Sequence, residues 1–187
     1  MKRKMLLITA FLAVALLITA GVFIVTKSAV MEAAAISVGV TLYHFVMRLL
    51  VGAVVNLIMK NEADYNNIWF REKRLENKLY RLIGVRRWKK YIPSYSPDMF
   101  DISKRTTEEI IGATCQAEIV HEIIMVLSLV PIALIPVFGG AAAMIITSAL
   151  SLLIDLVFVI LQRYNRPRLI RVMGRYQKGN KSNNVKQ

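Results

Sequence analysis

The sequence predicts an all-α integral membrane protein with about four transmembrane helices and a cytoplasmic amphipathic interfacial segment. Of its 187 residues, 56% are hydrophobic, and the mean hydropathy is +0.48, which is high for a soluble domain. The net charge is +13, and all of the 25 basic residues except Lys27 and Arg48 lie in three blocks that apolar stretches separate. This alternation is the positive-inside pattern of a multi-pass protein. It argues against a nucleic-acid binder, which would not interleave its basic residues with long apolar spans.

The four spans are predicted at about residues 5–26, 34–59, 117–138 and 141–161. The first follows a Met-Lys-Arg-Lys start and so resembles a signal peptide, but its apolar run is long for one and favours a retained anchor. Pro131 and Pro136 predict a kink or an early end of the third span. Short loops at 27–33 and 139–140 join the spans in pairs, which predicts that both termini and every basic block are cytoplasmic.

The segment 61–112 mixes apolar and aromatic residues with Arg and Lys, which predicts an amphipathic helix lying on the inner membrane surface. Gly84 is expected to end that helix. A capping pattern predicts the start of the helix that enters the third span: Ser103 or Thr106/Thr107, followed by Glu108/Glu109. The whole chain is predicted to be a single membrane domain with a basic C-terminal tail at 163–187.

Most familiar catalytic signatures are absent from the sequence. It has no GxSxG, HExxH, GxGxxG or P-loop motif, so hydrolase, protease, dinucleotide and nucleotide-hydrolysing functions have no support. The HxxxxD signature of soluble-headed glycerolipid acyltransferases is also missing. The single cysteine, Cys115, excludes an intrachain disulfide and is interpreted as a small buried hydrophobe rather than a nucleophile.

Ionisable residues inside the predicted spans are the first candidate functional residues, because such groups are costly in a bilayer. His44 and Arg48 share a face of the second span, and Glu118, His121 and Glu122 lie near one face of the third. An acid and an imidazole among these side chains could act together as a general base. They could also bind a metal through Glu118, His121 and His44, or simply pair with Arg48 to hold the bundle together. Spacing alone leaves these three alternatives open. It also leaves open whether His44 and Arg48 form one site with Glu118 and His121 or a separate one.

The string QRYNRPRL at 162–169 lies where the fourth span reaches water. Two or three basic residues at such a place are usually a topological anchor. Gln162, Tyr164 and Asn165 are not needed for anchoring. Their presence favours a binding site for an anionic headgroup or an acyl donor.

Three sequence elements together resemble a known family. They are AEIVHE at 117–122, LQRYNRPRL at 161–169, and the spaced pattern of Glu76, Tyr80, Gly84, Val85, Trp88 and Lys89. The chain resembles the glycosyl-4,4′-diaponeurosporenoate acyltransferases over about Trp69 to Arg171. These are small bacterial membrane proteins thought to esterify a sugar hydroxyl of a glycosylated carotenoid. The resemblance implies an acyltransferase acting on a lipid-linked hydroxyl, in a bacterial cell membrane. It carries over as candidate residues Glu118, His121, Gln162, Arg163, Asn165, Arg166 and Arg168.

The expected mechanism uses acyl-CoA or acyl carrier protein as donor, with no resident cofactor and no metal. His121, oriented by Glu118 or Glu122, would take the proton of the acceptor hydroxyl, and Gln162 or Asn165 would donate to the thioester oxygen. The candidate catalytic residues are therefore His121, Glu118, Glu122, His44 and Asn165. The candidate substrate-binding residues are Arg48, Gln162, Arg163, Tyr164, Arg166, Arg168, Trp88 and Lys89. Of these, Arg163, Arg166 and Arg168, together with Lys and Arg of 71–90, are expected to contact the phosphates of the donor.

The alternative function is a non-catalytic lipid-binding or assembly protein that uses the same basic face to hold anionic lipid. A transporter is disfavoured, since a single polar cluster near one face gives no path across the bilayer. The expected partners are membrane lipids, the acyl donor and a lipid-linked hydroxyl acceptor, and assembly into a homo-oligomer is left open.

Overall fold

The computed structural model describes residues 2–92, 101 and 103–184, and all regular structure in these ranges is helical. The α-helices in chain order are α1 (Lys2–Thr26), α2 (Ala29–Met59), α3 (Glu76–Leu82), α4 (Val85–Trp88), α5 (Thr107–Leu127), α6 (Val130–Ala133), α7 (Ile135–Phe138) and α8 (Ala141–Asn184). Short 3₁₀ helices lie at Ile68–Phe70 and Lys89–Tyr91. Residues 93–100 and 102 of the predicted interfacial segment, and 185–187 of the predicted tail, lie outside the described residues.

Four helical segments of the described chain are long and apolar enough to cross a membrane. They are Arg3–Thr26, Ala29–Met59, Thr107–Phe138 and Ala141–Arg175. Each contains one of the four predicted spans, so the all-helical prediction and the order of the spans are confirmed as far as length and composition decide them.

The third of these segments is interrupted where the sequence predicts it. Its main helix, α5, ends at Leu127, and Pro131 and Pro136 each fall within the first two residues of the short helices α6 and α7. Proline lacks a backbone N–H, so it fits the start of a helix and disrupts the interior. The predicted interruption is therefore confirmed.

A reciprocal cap starts α5. The backbone N–H of Thr106 donates to Oε2 of Glu109 at 2.8 Å, and the N–H of Glu109 donates to Oγ1 of Thr106 at 3.2 Å. This is the capping box, in which each side chain satisfies a backbone donor that the first helical turn leaves unpaired. The Thr106 alternative of the predicted capping pattern is confirmed.

The amphipathic helix predicted within the interfacial segment is shorter in the structure than its sequence pattern suggests, because α3 covers only Glu76–Leu82 and the preceding turn at Ile68–Phe70 is a separate 3₁₀ helix. Gly84 has a φ of +63° and separates α3 from α4, which confirms that a helix ends there. A residue with a side chain would be strained in this left-handed conformation. The indole N–H of Trp88 donates to the Ile83 carbonyl oxygen at 3.0 Å and so closes the turn.

The last helix continues well past the predicted end of its span at Leu161. α8 is 44 residues long and includes the whole QRYNRPRL string, with Pro167 inside it. Pro167 has no N–H to offer the carbonyl of Arg163, four residues earlier. The string is therefore presented on a helical surface, where residues three or four apart share a face.

The chain divides into two compact units. Unit 1 comprises Met1–Val54 and Val120–Leu156, and unit 2 comprises Val55–Ile119 and Val157–Gln187. Helices α2, α5 and α8 each contribute residues to both units. The single membrane domain expected from the sequence stays a prediction.

Unit 1 has a polar interior. Its buried apolar side chains are accompanied by buried His44, Ser128, Ser148, Ser151 and Asp155. Large apolar side chains of α1 are exposed, with Phe11 at 71% and Leu17 at 75%. Apolar residues outside and polar residues inside are what a bilayer solvent favours.

The core of unit 2 joins the short helices to α8. Tyr80 of α3, Val85 of α4 and Tyr164 of α8 are buried together, and Trp88 and Ile160 pack against them. The rings of Tyr80 and Tyr164 meet edge to face, with centroids 5.6 Å apart. Aromatic pairs in this geometry favour a defined orientation, so the QRYNRPRL string is fixed against α3 and α4.

Candidate functional site

Unit 1 contains a histidine cluster, formed by Arg48, His121, Ser128, Ser151 and Asp155. Nδ1 of His121 lies 2.8 Å from Oδ1 of Asp155, and Nη2 of Arg48 lies 2.5 Å from Oδ2 of the same carboxylate. Asp155 is 1% exposed. Each oxygen of a buried carboxylate thus has a cationic or ring N–H partner, which is how such a charge is tolerated.

Two serines extend the histidine cluster. Nη2 of Arg48 donates to Oγ of Ser151 at 2.9 Å, and the hydroxyls of Ser151 and Ser128 lie 2.6 Å apart. Ser128 also donates to the Ile124 carbonyl oxygen at 2.8 Å. The serines therefore connect α5 to α8 beside the guanidinium group.

The histidine cluster has the geometry of a general base. When Asp155 accepts the Nδ1–H of His121, the neutral ring carries its lone pair on Nε2. A carboxylate in this position holds the imidazole in one tautomer and stabilises the imidazolium that forms on proton uptake. The His121 side chain is 21% exposed whereas that of Asp155 is 1% exposed, so the ring is more accessible than the acid.

Asp155 is the functional candidate that the sequence reasoning missed. Glu118 or Glu122 was expected to orient His121 because all three lie on one helix, but the partner that the structure shows at Nδ1 is Asp155 on α8. The only available signal was that Asp155 is the single acid of the fourth span. Glu122 is half-buried in unit 1, and its catalytic role stays a prediction.

Unit 2 contains a carboxylate–arginine cluster, formed by Glu76, Thr114, Glu118, Arg163 and Arg166. Glu118 is fully buried; its Oε1 accepts from Nη1 of Arg163 at 2.5 Å, and its Oε2 accepts from Nη2 of Arg166. Arg163 also binds Glu76, whose Oε1 lies 3.0 Å from Nε. Nη2 of Arg163 is 2.8 Å from the same oxygen, but at an angle outside hydrogen-bond geometry.

Arg166 is the most enclosed cation of this cluster, with 1% exposure. Its Nε donates to Oγ1 of Thr114 at 3.2 Å, and its Nη1 donates to the Phe70 carbonyl oxygen at 3.2 Å. The guanidinium carbon lies 4.8 Å from the centroid of the Phe70 ring. Such a planar, multiply bonded cation is not available to a ligand phosphate.

The carboxylate–arginine cluster is electrically balanced, because two carboxylates face two guanidinium groups. It ties α3, α5 and α8 together within unit 2. Glu76 also accepts from the hydroxyl of Tyr80 at 3.1 Å. Burial of that hydroxyl, together with the nearby charge of Glu76, raises the pKa of Tyr80, so it remains protonated and keeps donating.

A third group of residues surrounds the ring of Tyr164. Nζ of Lys89 lies 5.0 Å and the guanidinium carbon of Arg168 lies 3.5 Å from the ring centroid. Lys89 also donates to Oδ1 of Asn165 at 3.1 Å. Burial, followed by the charges of Arg168 and Arg86, lowers the pKa of Lys89. The positive charges of Lys89, Arg86 and Arg168 lie close enough to act on one another, and such a concentration of positive charge favours an anionic ligand.

A cavity of about 310 Å³ in unit 2 is lined by Arg86, Arg87, Trp88, Lys90 and Tyr91. Arg86, Arg87, Lys90 and Arg168 are exposed. The cationic face is defined here as Arg86, Arg87, Lys89, Lys90 and Arg168. One guanidinium group can donate two parallel hydrogen bonds to two oxygens of a phosphate. The chemistry of this face therefore suits a phosphate-bearing group.

The sequence-predicted site residues therefore fall into two sets. His44, Arg48, His121 and Glu122 belong to unit 1, and Arg48 donates to the His44 carbonyl oxygen at 3.3 Å. The other predicted residues belong to unit 2: Trp88, Lys89, Glu118, Gln162, Arg163, Tyr164, Asn165, Arg166 and Arg168. Gln162 is 8% exposed, and Cys115 is fully buried, as expected for a small hydrophobe.

Metal ligation receives no support from side-chain grouping. Among the described residues, no group of three or more His, Cys, Asp or Glu side chains could hold a metal ion. Both oxygens of Glu118, one of the three candidate ligands, are bonded to arginine. The expectation that the protein uses no metal stays a prediction.

A comparison with protein families shows which family the chain matches. A family model described as glycosyl-4,4′-diaponeurosporenoate acyltransferase matches residues 66–175, which include α3, α4, α5 and most of α8. No curated protein and no solved structure matches the chain. The matched range contains His121, Asp155 and the whole cationic face.

Proposed function

The chain belongs to the glycosyl-4,4′-diaponeurosporenoate acyltransferase family, and from this premise we propose the reaction that it catalyses. The family implies an acyltransferase. The proposed reaction moves a fatty acyl group from a cytoplasmic thioester donor to a hydroxyl of a lipid or glycolipid acceptor. The observation that carries the proposal is the pairing of His121 with the buried carboxylate of Asp155.

In the proposed reaction, Nε2 of His121 takes the proton of the acceptor hydroxyl. The hydroxyl oxygen forms a bond to the thioester carbonyl carbon, and the resulting tetrahedral intermediate collapses as the carbon–sulfur bond breaks. The proton then passes from the imidazolium to the leaving thiolate, so the ester and the free thiol are the products. Asp155 stabilises the imidazolium, and Arg48 balances the charge of Asp155.

The cationic face is the proposed docking surface for the donor. Acyl-CoA and acyl carrier protein both present phosphate groups, which match the exposed guanidinium groups of Arg86, Arg87 and Arg168. Arg163 and Arg166 are assigned a positioning role instead, because their donors are directed at Glu76, Glu118 and backbone oxygens. Trp88 packs beneath the face, next to Tyr164.

The role of Asn165 and Gln162 as donors to the thioester oxygen stays a prediction, because these residues belong to unit 2 whereas His121 belongs to unit 1. Asn165 accepts from Lys89 through Oδ1, so its amide NH₂ remains the donating end of the side chain. An amide donor aimed at a developing oxyanion stabilises the transition state more than the ground state.

The proposed location is a bacterial cell membrane, with both termini on the cytoplasmic side. The four candidate spans and the three basic blocks of the chain support this topology. A second candidate function, lipid binding without chemistry, is supported by the cationic face, because its residues could also hold an anionic headgroup.

Lipid mass spectrometry of host membranes tests the proposal. Membranes are compared with and without the protein, and with the His121→Ala and Asp155→Asn variants. The matched control is Val126→Ala, an exposed position on the same helix as His121. Acylation of one lipid by the unchanged protein and the control, but not by the two variants, supports an acyltransferase. Identical lipid profiles, with a specific lipid bound to the purified protein, favour the binding function.

A further inference from the structure

A buried polar pair in unit 1 takes no part in the proton transfer described above. His44 on α2 is 5% exposed, and Ser148 on α8 is fully buried. Among the described residues, the two ring nitrogens of His44 and the Oγ of Ser148 have no hydrogen-bond partner. Unpaired polar groups are costly in an apolar interior, and each such group requires an explanation.

His44 and Ser148 lie at matching positions along the neighbouring helices α2 and α8 of unit 1. Arg48, one turn after His44, donates to Oγ of Ser151, one turn after Ser148. A Cβ added to Gly140 at the start of α8 would meet Ile36 of α2, so the earlier parts of both helices are also neighbours. Contacts at both ends show that α2 and α8 run in the same direction, which places His44 beside Ser148.

The chemistry of the pair suits a hydroxyl group. A neutral imidazole offers one N–H donor and one nitrogen acceptor, and a serine hydroxyl can also do both. A hydroxyl group matches this combination, whereas a carboxylate or phosphate has acceptors only. Apolar groups lie beside the pair: Val40 and Met47 are buried on the same helix, and the Tyr43 ring lies edge-on to His44 with centroids 5.4 Å apart.

We propose that His44 and Ser148 form a binding subsite for the hydroxylated headgroup of a neutral lipid. The headgroup exchanges hydrogen bonds with the imidazole and the serine hydroxyl, and the apolar body of the lipid remains among the helices. This lipid is the acyl acceptor, an identification that rests on the proposed function. Arg48 links the subsite to the base, because it binds both the His44 carbonyl oxygen and Asp155.

The test measures lipid binding by the full chain in phosphatidylcholine nanodiscs, because the phosphatidylcholine headgroup has no hydroxyl that could compete with the probe. The probe is monoglucosyldiacylglycerol, and the comparator is triacylglycerol, which is also neutral but has no hydroxyl. The unchanged protein is expected to prefer the probe. His44→Leu and Ser148→Ala are expected to weaken probe binding by about threefold to tenfold, the effect of one uncharged hydrogen bond. The control is Ser37→Ala, an exposed serine of α2 that bonds only within its helix in the described contacts.

Equal affinity for the two lipids, or unchanged probe affinity in Ser148→Ala, overturns the subsite. Ser148→Ala removes a single oxygen atom from a long helix, so it keeps the test decisive if His44→Leu does not fold. Probe binding and acyl transfer are read separately. His121→Ala is expected to bind the probe normally and to lose acyl transfer.

The two proposals can therefore fail independently. If Ser148→Ala binds the probe normally while His121→Ala loses transfer, the subsite is overturned and the proposed reaction stands. If Ser148→Ala loses probe binding while His121→Ala still transfers acyl groups, the subsite stands and the proposed base is overturned.

Discussion

The Nδ1 atom of His121 on α5 lies 2.8 Å from Oδ1 of Asp155 on α8, 34 positions further along the chain. The other oxygen of Asp155 is bonded to Arg48 of α2. Three helices thus meet at one carboxylate, and the imidazole is held in a single orientation. The contact thus joins the imidazole of His121 to Asp155, which is the only acid of the predicted fourth span.

Replacing Asp155 by Asn is expected to lower the rate of acyl transfer by about 10²- to 10⁴-fold. The amide keeps the shape of the acid but can present its NH₂ to the ring, which favours the wrong tautomer and leaves the imidazolium without its counter-charge. The rate is measured with purified protein in nanodiscs. A variant that retains more than half of the original rate, with unchanged thermal stability, would contradict the assignment of His121 as the base.

Replacing Glu118 by Gln is expected to destabilise the fold by about 3–5 kcal/mol. The change removes the carboxylate that pairs with both Arg163 and Arg166, and leaves Arg166 as a buried cation without a counter-charge. The free energy of unfolding is measured in mild detergent. Glu108→Gln, an exposed change on the same helix, serves as the control and should lie within about 0.5 kcal/mol of the unchanged protein. Equal stability of the two variants would exclude a structural role for Glu118.

Replacing Arg166 by Lys separates a positioning arginine from a headgroup-binding one. Lysine keeps the charge but cannot bond Glu118, Thr114 and the Phe70 carbonyl oxygen at once, so a loss of about 1–3 kcal/mol is expected. Arg175→Lys, at an exposed position of the same helix, should have no measurable effect. The measurement is the thermal unfolding midpoint of the two variants. An unchanged midpoint in Arg166→Lys would indicate that Arg166 contributes only its positive charge, as a headgroup-binding residue would.

Replacing Gly112 by Ala is expected to destabilise the protein by about 1–3 kcal/mol. The added Cβ would overlap the backbone carbonyl oxygen of Asn61, which cannot move as a side-chain tip could. Gly174 of α8 has open space around its Cα, so Gly174→Ala should be neutral or stabilise the helix by about 0.5–1 kcal/mol. A Gly112→Ala variant with an unfolding midpoint at or above that of the unchanged protein would show that α5 does not lie this close to Asn61.

Replacing Arg87 by Glu tests the docking surface. Arg87 is exposed and lines the cavity of the cationic face, so charge reversal is expected to raise the KM for acyl-CoA and to leave kcat nearly unchanged. The effect should decrease at high ionic strength, because salt screens exposed charges. Arg175→Glu is the charge-matched control. An equal rise of KM in both variants would indicate a general surface potential rather than a defined donor site.

Much of the architecture was predictable from local features of the sequence. The long apolar runs, the two prolines after α5, the Thr106–Glu109 cap and Gly84 each act within a few residues, and each was found where it was predicted. The interfacial segment was predicted less well. Its amphipathic pattern predicted a helix that ends near Gly84, and α3 does end there, but α3 starts only at Glu76 and the turn before it is a separate 3₁₀ helix.

The sequence by itself determined the class of protein, the number and order of its candidate spans, and the residue types available for chemistry. Only the tertiary structure decided which of those residues meet. Glu118 and His121 are neighbours on one helix, yet Glu118 bonds Arg163 and Arg166 while His121 bonds Asp155. Helical periodicity fixes which residues share a face, but the partner across a helix–helix contact depends on how α2, α5 and α8 pack. Because of that packing, Glu118 is a structural ion-pair partner within unit 2, and Asp155 is the partner of the proposed base, His121, within unit 1.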